Sequence, residues 1–328
     1  MSSGADAERR SRLLSLKLRA LVRDHTGGDD SGDASVFALG AALLRDDAVW
    51  MLIDGESERA LGATLAWATT NVASRPVRIL VERDSGVLAR RATQFDADIE
   101  IWHVDERSLL PAISDPHLPR VEARLEHLAF AEVIDAAGAA VVVEHGVVVG
   151  EVAGLEMCRV VDDAATGATR LEVGMGAHDR EAFAMVHGHL PTAEALRQVI
   201  DAVAPHRVVG APQHPFNQFA AERLLRWRAL GEPSSIGFES LAPAEPPVVR
   251  RNLKDAVPCA ARGVMRDGRD AVAVFASGVD LDVVPFAVDA ADREGVDAVA
   301  VVLRERDVVP SIEKLAARAR RSVSLVSI

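Results

Sequence analysis

D-A-V-W-M-L-I-D-G at residues 47–55 and D-A-V-A-V-F-A-S-G at residues 270–278 read as two versions of one stretch. Each is an apolar run between an acidic residue and a glycine. Working outward at the same offset, L-V-E-R-D at 80–84 meets L-R-E-R-D at 303–307 with no gap. I-E-I-W-H-V at 99–104 then meets V-S-L-V-S-I at 323–328, one residue out of step. A repeat at fixed spacing governs the fold assignment before any single element does. Each copy reads strand, tight turn (Arg45–Asp47; Arg266–Gly268), strand, helix, strand, helix, strand. The expectation is two related ββαβαβ units, at 35–115 and 251–328. Val49, Leu52, Ile79, Leu80, Val272, Phe275, Val302 and Leu303 are their expected core. Glu82-Arg83-Asp84 and Glu305-Arg306-Asp307 stand where a strand meets a helix, where carboxylates serve as caps or first-turn charges.

The chain has 328 residues, enough for two or three domains, and its 49% hydrophobic content belongs to a folded protein. Its apolar runs are strand-like and far shorter than a membrane span. The start, M-S-S-G-A-D-A-E-R-R, lacks the apolar region of a secretory signal, so the expected location is the cytoplasm. Cys158 and Cys259 have neither metal nor redox spacing and are expected as small buried hydrophobes in a reducing compartment. A formal net charge of −12 excludes a protein that coats nucleic acid non-specifically, while leaving room for a local basic groove. Lys17, Lys254 and Lys314 are the only lysines, so no lysine serves residues 18–253. The chain has no G-x-x-x-x-G-K-[ST], no strand-to-helix G-x-G-x-x-G and no G-x-S-x-G. ATPase, dinucleotide oxidoreductase and α/β-hydrolase chemistries are thereby removed. The absence of tyrosine removes a tyrosine nucleophile.

Residues 1–34 read as an amphipathic helix, about Glu8–Asp24, with Leu13, Leu14, Leu18, Leu21 and Val22 as its apolar side. A flexible linker, H-T-G-G-D-D-S-G-D-A, follows. Between the repeats lies a different domain, 120–235. There R-L-E-H-L-A-F-A-E-V-I-D-A-A-G ends a helix at Gly138, and three short strands follow. Glu126 or Glu132 lies on the helix, Glu156 starts the second strand and Glu172 sits inside the third, in T-R-L-E-V-G-M-G. Alternation turns Leu171 and Val173 away from Glu172. Buried carboxylates facing one another are costly unless a cation sits between them.

This constellation resembles the PD-(D/E)xK nuclease superfamily. The resemblance implies a restriction-endonuclease-like αβββα domain flanked by the two repeated ββαβαβ units. It makes Glu126, Glu156 and Glu172 ligands of Mg²⁺, with Mn²⁺ as a substitute. Gly174 stands where the family has its lysine, and Arg180 is the nearest replacement for that charge. Glu156, Glu172 and Arg180 are therefore the candidate catalytic set. Arginine does not deprotonate, so it is a poor proton donor or acceptor.

Two further stretches carry candidate chemistry. In G-M-G-A-H-D-R-E-A-F-A-M-V-H-G-H, His178, His187 and His189 have no zinc spacing, and the expected roles are helix-terminal charges: Asp179 and Glu181 at the N-terminus and His187 near the C-terminus. A helix with Arg223, Arg226 and Arg228 offers guanidinium groups to nucleic-acid phosphates, with a solvated arginine face as the plainer alternative. Trp227 is expected to be buried. Two functional readings follow. One is a degenerate core acting in nucleic-acid-related binding or assembly, with nucleic acid, a protein partner or a second copy as partner and no membrane. The other is an active Mg²⁺-dependent nuclease cleaving DNA or RNA. The missing lysine places the first ahead. A third enzyme class around His178, Asp179 and Glu172 requires a deep apolar pocket there.

Overall fold

The computed structural model describes residues 2–28, 31–72, 75–187, 191–208, 210–212, 214–250 and 255–328. Along the chain, α1 (Ser2–Thr26) leads to β1 (Asp33–Phe37), β2 (Gly40–Leu44), β3 (Val49–Ile53), α2 (Leu61–Asn71), β4 (Val77–Val81), α3 (Ser85–Ala92), β5 (Ile99–Asp105) and β6 (Ser108–Pro111). The middle carries α4 (Leu125–Leu128), α5 (Ala131–Ala136), β7 (Ala140–Glu144), β8 (Val147–Val152), β9 (Leu155–Asp162), β10 (Thr169–Val173), α6 (Ala177–His187), α7 (Thr192–Val203) and α8 (Ala221–Gly231). Then come β11 (Phe238–Ala244), β12 (Cys259–Met265), β13 (Asp270–Phe275), α9 (Val283–Glu294), β14 (Ala298–Leu303), α10 (Pro310–Ala316) and β15 (Ser322–Ser327). The protein is α/β, with sheets ordered β1-β2-β3-β4-β5-β6, β10-β9-β8-β7 and β11-β12-β13-β14-β15. No described helix is long and apolar enough to cross a membrane.

The chain forms two compact units: Met1–His117, Val279–Arg293 and Val308–Leu325 make one, and Leu118–Gly278, Glu294–Asp307 and Val326–Ile328 the other. In the first, β1/β2 and β2/β3 are antiparallel, β3/β4 and β4/β5 parallel, and β6 returns antiparallel. β3 is buried along its whole length, as a central strand covered on both faces must be. Leu18, Leu21 and Val22 of α1 lie against Ala41, Leu43, Trp50, Leu52 and Leu80. Leu13, expected in that stripe, is exposed instead. The linker is shorter than expected, because α1 runs to Thr26 and β1 begins at Asp33; Asp29 and Asp30 lie outside the described residues. α9 joins α2 through the Gly62 N–H, which donates to Asp282 Oδ1 at 2.9 Å. The turns after α3 and α10 meet at an antiparallel bridge of Phe95 with Ala319.

In the second unit, β11/β12 and β12/β13 are antiparallel and β13/β14 parallel, the same sequence of pairings as β1 to β4. All eight expected core residues are buried. The ungapped sequence match hides a slip. Val49 pairs with Val77 and Val272 with Val299, so the copies are offset by 223 in one strand (272 against 49) and by 222 in the next (299 against 77). Since alternation assigns each residue a face, Val302 and not Leu303 takes the place of Leu80. The likeness also reaches further back than the sequence indicated. α8 packs Leu225 and Ala229 on Ala261, Ala271, Ala273 and Phe275. α8 therefore precedes and covers its sheet as α1 does.

Candidate functional site

Two tight turns set up the middle sheet. His145-Gly146 (φ 51° and 75°) and Ala153-Gly154 (φ 46° and 81°) have the paired positive φ of type I′ hairpins. The first divides V-V-V-E-H-G-V-V-V, so four strands stand where three were expected. They form an antiparallel meander, with Glu156 on the third strand and Glu172 on the fourth. Gly154 serves a second purpose: a Cβ there would sit 2.5 Å from the backbone of Arg223 on α8.

β9 carries the feature that aims the site. Val149 pairs with Arg159 and Gly150 with Cys158, but Glu151 then pairs with Glu156, skipping Met157. This one-residue bulge lets Met157 and Cys158 both enter the core and turns Glu156 to the face of Arg159. Glu172, opposite Arg159 in the β9/β10 register, shares that face, while Leu171 and Val173 are buried in the core as expected.

Glu156 and Glu172 do reach a common space, and Arg180 at the start of α6 bridges them. Its Nη1 donates to Glu156 Oε1 at 2.9 Å and its Nε to Glu172 Oε2 at 3.2 Å. Glu156, only 3% exposed, also takes a two-pronged contact from Arg159, at 3.0 and 2.8 Å. Arg170 holds the other oxygen of Glu172 at 2.7 Å. Burial pushes Glu172 up, but the bonds from Arg170 and Arg180 outweigh it and its pKa falls below the ordinary value.

A larger buried network adjoins this cluster. Arg223 reaches Glu144 and, at 2.5 Å, Glu151; Arg226 reaches Glu144 at 2.7 Å. Burial would raise Glu144, yet Arg223 and Arg226 together hold it at about 2. Arg250 completes the set, 3.8 Å from Glu156 and 3.9 Å from Glu222, whose pKa burial raises. The remaining cavity, lined by Glu156, Arg159, Arg223 and Arg250, is about 50 Å³. Reasoning from the sequence missed Glu144, Glu151 and Arg250. Glu151 did carry a signal, a lone charge in V-V-V-G-E-V that buries only with a partner.

The expected metal set does not fit. Glu126 lies on α4 with its side chain 64% exposed and its nearest charge on Arg124, 3.5 Å away; Glu132 is exposed on α5. Every oxygen of Glu156 and Glu172 already faces a guanidinium. Among the described residues, no group of three or more His, Cys, Asp or Glu side chains could hold an ion. Gly174, in the lysine's place, has φ 136°, and a Cβ there would lie 2.8 Å from the backbone nitrogen of Arg180. The close approach of α6 that delivers Arg180 excludes any side chain at 174.

Other expectations resolve individually. Arg223 and Arg226 are buried in ion pairs and cannot reach phosphates; only Arg228 of that trio is exposed. Trp227 is 41% exposed, because α8 turns Leu225 and Ala229 inward instead. Asp179 accepts the Met175 N–H at 2.6 Å, a first-turn role. His189 and the side chains of His178 and His187 lie outside the described residues. The E-R-D motifs tie loops together: Asp84 accepts from Ser57 Oγ at 3.1 Å, and Asp307 from the Gly278 N–H at 2.9 Å. Cys158 and Cys259 are buried free thiols, each pushed up to about 12 by burial.

The second unit also holds a cleft of about 940 Å³ beside the start of α8, lined in part by His214, Asn217, Arg228, Ser277, Arg304 and Arg306. No family model matches the chain, and comparison with curated proteins and with solved structures finds no match.

Proposed function

We propose that this is a non-catalytic cytoplasmic protein acting in nucleic-acid-related binding or assembly. Its four-stranded domain resembles a PD-(D/E)xK core in which arginine has taken over from metal, and its flanking repeats are copies of one αβββαβαβ unit. Arg180 carries this reading: it spans Glu156 and Glu172 where the resemblance would put a cation. The physical need is the same in both cases. Buried carboxylates require a positive charge between them, and a guanidinium supplies it with fixed, bidentate geometry. The chemistry differs. Mg²⁺ keeps exchangeable waters and can present one as a nucleophile, whereas arginine carries no water and does not deprotonate. Mg²⁺ or Mn²⁺ enters this cluster only by displacing Arg180.

The test is calorimetric titration of the full chain with Mn²⁺, alongside incubation with single- and double-stranded DNA and RNA. The expected outcome is no stoichiometric metal binding and no cleavage. Metal-dependent cleavage that disappears in Glu172→Gln would overturn the reading and establish the nuclease alternative. Arg180→Met is expected to lower thermal stability, by about 3–5 kcal/mol, because it leaves Glu156 buried with fewer partners.

A further inference from the structure

We infer that the cleft at the start of α8 binds a nucleotide, free or as one unit of a single strand, through its phosphate. Place is the first argument. Ser277 follows β13 and Arg304 to Arg306 follow β14, so the cleft opens at the carboxyl ends of two parallel strands, where open α/β sheets bind ligands. The charges are the second. Among the described residues Arg228 and Arg304 have no acidic partner, and Arg306 has only Asp307, 3.8 Å away. Three arginine side chains line one space with a single acidic side chain, Glu305. The net charge of −12 does not cancel them, since salt screens it beyond about 8 Å.

The cleft wall is built for a ligand with a donor as well as an anion. Asn217 lines the cleft, and its Oδ1, shielded and without a partner among the described residues, would accept from a ribose hydroxyl or a base amino group once the side chain turns outward. His214 Nδ1 accepts the Phe216 N–H at 3.3 Å, so in the neutral ring the proton sits on Nε2, a donor for a phosphate oxygen. His206 stacks on that ring at 3.8 Å and fixes its plane. Arg207 then anchors the whole wall: buried, it donates to the carbonyls of Phe216 at 2.7 Å, Phe219 at 3.1 Å and Ala153 at 2.7 Å. Burial lowers Arg207 to about 10, which leaves it charged at neutral pH. A volume of about 940 Å³ admits a mononucleotide with room to spare.

This rests on the reading of the chain as a binding protein, but the two fail separately. Metal-dependent cleavage abolished by Glu172→Gln removes that reading without touching Arg304. The experiment is calorimetry of the full chain with AMP, GMP, pyrophosphate and short single-stranded RNA and DNA, at about 50 and about 200 mM salt. We expect a nucleotide or an oligonucleotide to bind, and the double variant Arg304→Gln/Arg306→Gln to weaken it at least ~10-fold. The double variant should keep the wild-type circular dichroism and Tm, because neither side chain is buried. Asn217→Ala should weaken nucleotides and leave pyrophosphate unchanged. Mononucleotide binding identifies a free ligand; binding only of oligonucleotides, with a steep salt dependence, identifies a strand. The proposal is overturned if no probe binds, if the double variant binds as well as wild type, or if nucleotides bind no better than pyrophosphate.

Discussion

α1 and α8 cover the same face of two sheets with the same strand order, but α1 has 25 residues and α8 has 11. The extra length of α1 goes over the carboxyl ends of β3 and β4. There Arg10 meets Asp54 at 2.6 Å and Lys17 meets Glu82. The residues that correspond to Asp54 and Glu82 in the second copy are Ser277 (277 against 54) and Arg304 (304 against 82), and both line the open cleft. One copy thus spends its strand ends on its own helix, while the other leaves them free. Where the first copy has the acid Glu82 the second has the cation Arg304, which has no acidic partner among the described residues. Strand order alone carries no function here; the length of the preceding helix decides whether a site exists.

The largest effect that tests this comparison is in the shared part. Leu21→Ala in α1 and Leu225→Ala in α8 each delete a buried side chain, and each is expected to cost about 2–5 kcal/mol. With two compact units a single unfolding midpoint is ill-defined, so amide hydrogen exchange in β3 and in β13 is the proper measure. Each variant should expose its own sheet's amides. A cost below about 1 kcal/mol for Leu21→Ala would mean α1 is not the counterpart of α8.

Acid should separate the two helices next. Glu144 anchors Arg223 and Arg226 of α8, and its pKa is about 2 in the fold against 4.5 unperturbed. A carboxylate depressed on folding stabilises fully above its unfolded value and loses that contribution as pH falls towards its folded value. The anchor of α8 is therefore expected to weaken between about pH 4.5 and about 2. The pairs of α1 with Asp54 and Glu82 are more exposed and contribute little at any pH. Hydrogen exchange at pH 5 and pH 3 checks this: protection of α8 should fall more than that of α1, and the reverse would break the contrast.

β3, β4, β13 and β14 were legible because they are apolar runs between turn residues, and a buried parallel strand leaves that trace. Glu156 and Glu172 were legible as acids on neighbouring strands, although plain alternation from Arg159 would have put Glu156 on the other face. Three things were not. The bulge at Met157 turns Glu156 to the face of Glu172, and bulges leave no local mark in composition. The partners of Arg223 and Arg226, Glu151 and Glu144, lie 72 and 82 residues earlier, so a helix read alone shows only an arginine face. The cleft escaped for the converse reason. Arg304 precedes, and Arg306 lies within, a motif that looked like ordinary helix-start charge, and the shortness of α8 leaves them open.

The smallest effect is the sharpest probe of why one end is closed. Arg10→Ala with Lys17→Ala removes two ion pairs whose cationic side chains are 69% and 41% exposed. Exposed pairs are worth about 0–1 kcal/mol each, because water and salt already screen them and long side chains lose freedom in making them. The apolar contacts of Leu18, Leu21 and Val22 stay in place, so global stability should change by less than about 2 kcal/mol. What should change is local. Amides near the start of α1, around Arg10, should lose protection, since little besides these pairs and Leu14 holds that end. High salt should reproduce the effect in the wild type. Opening this end should still create no nucleotide binding, because Glu82 puts an acid where the second copy has Arg304. A large global loss would show that the pairs carry the closure. Nucleotide binding gained by the double variant would show that any uncovered strand end suffices, and that the arginines of the second copy are incidental.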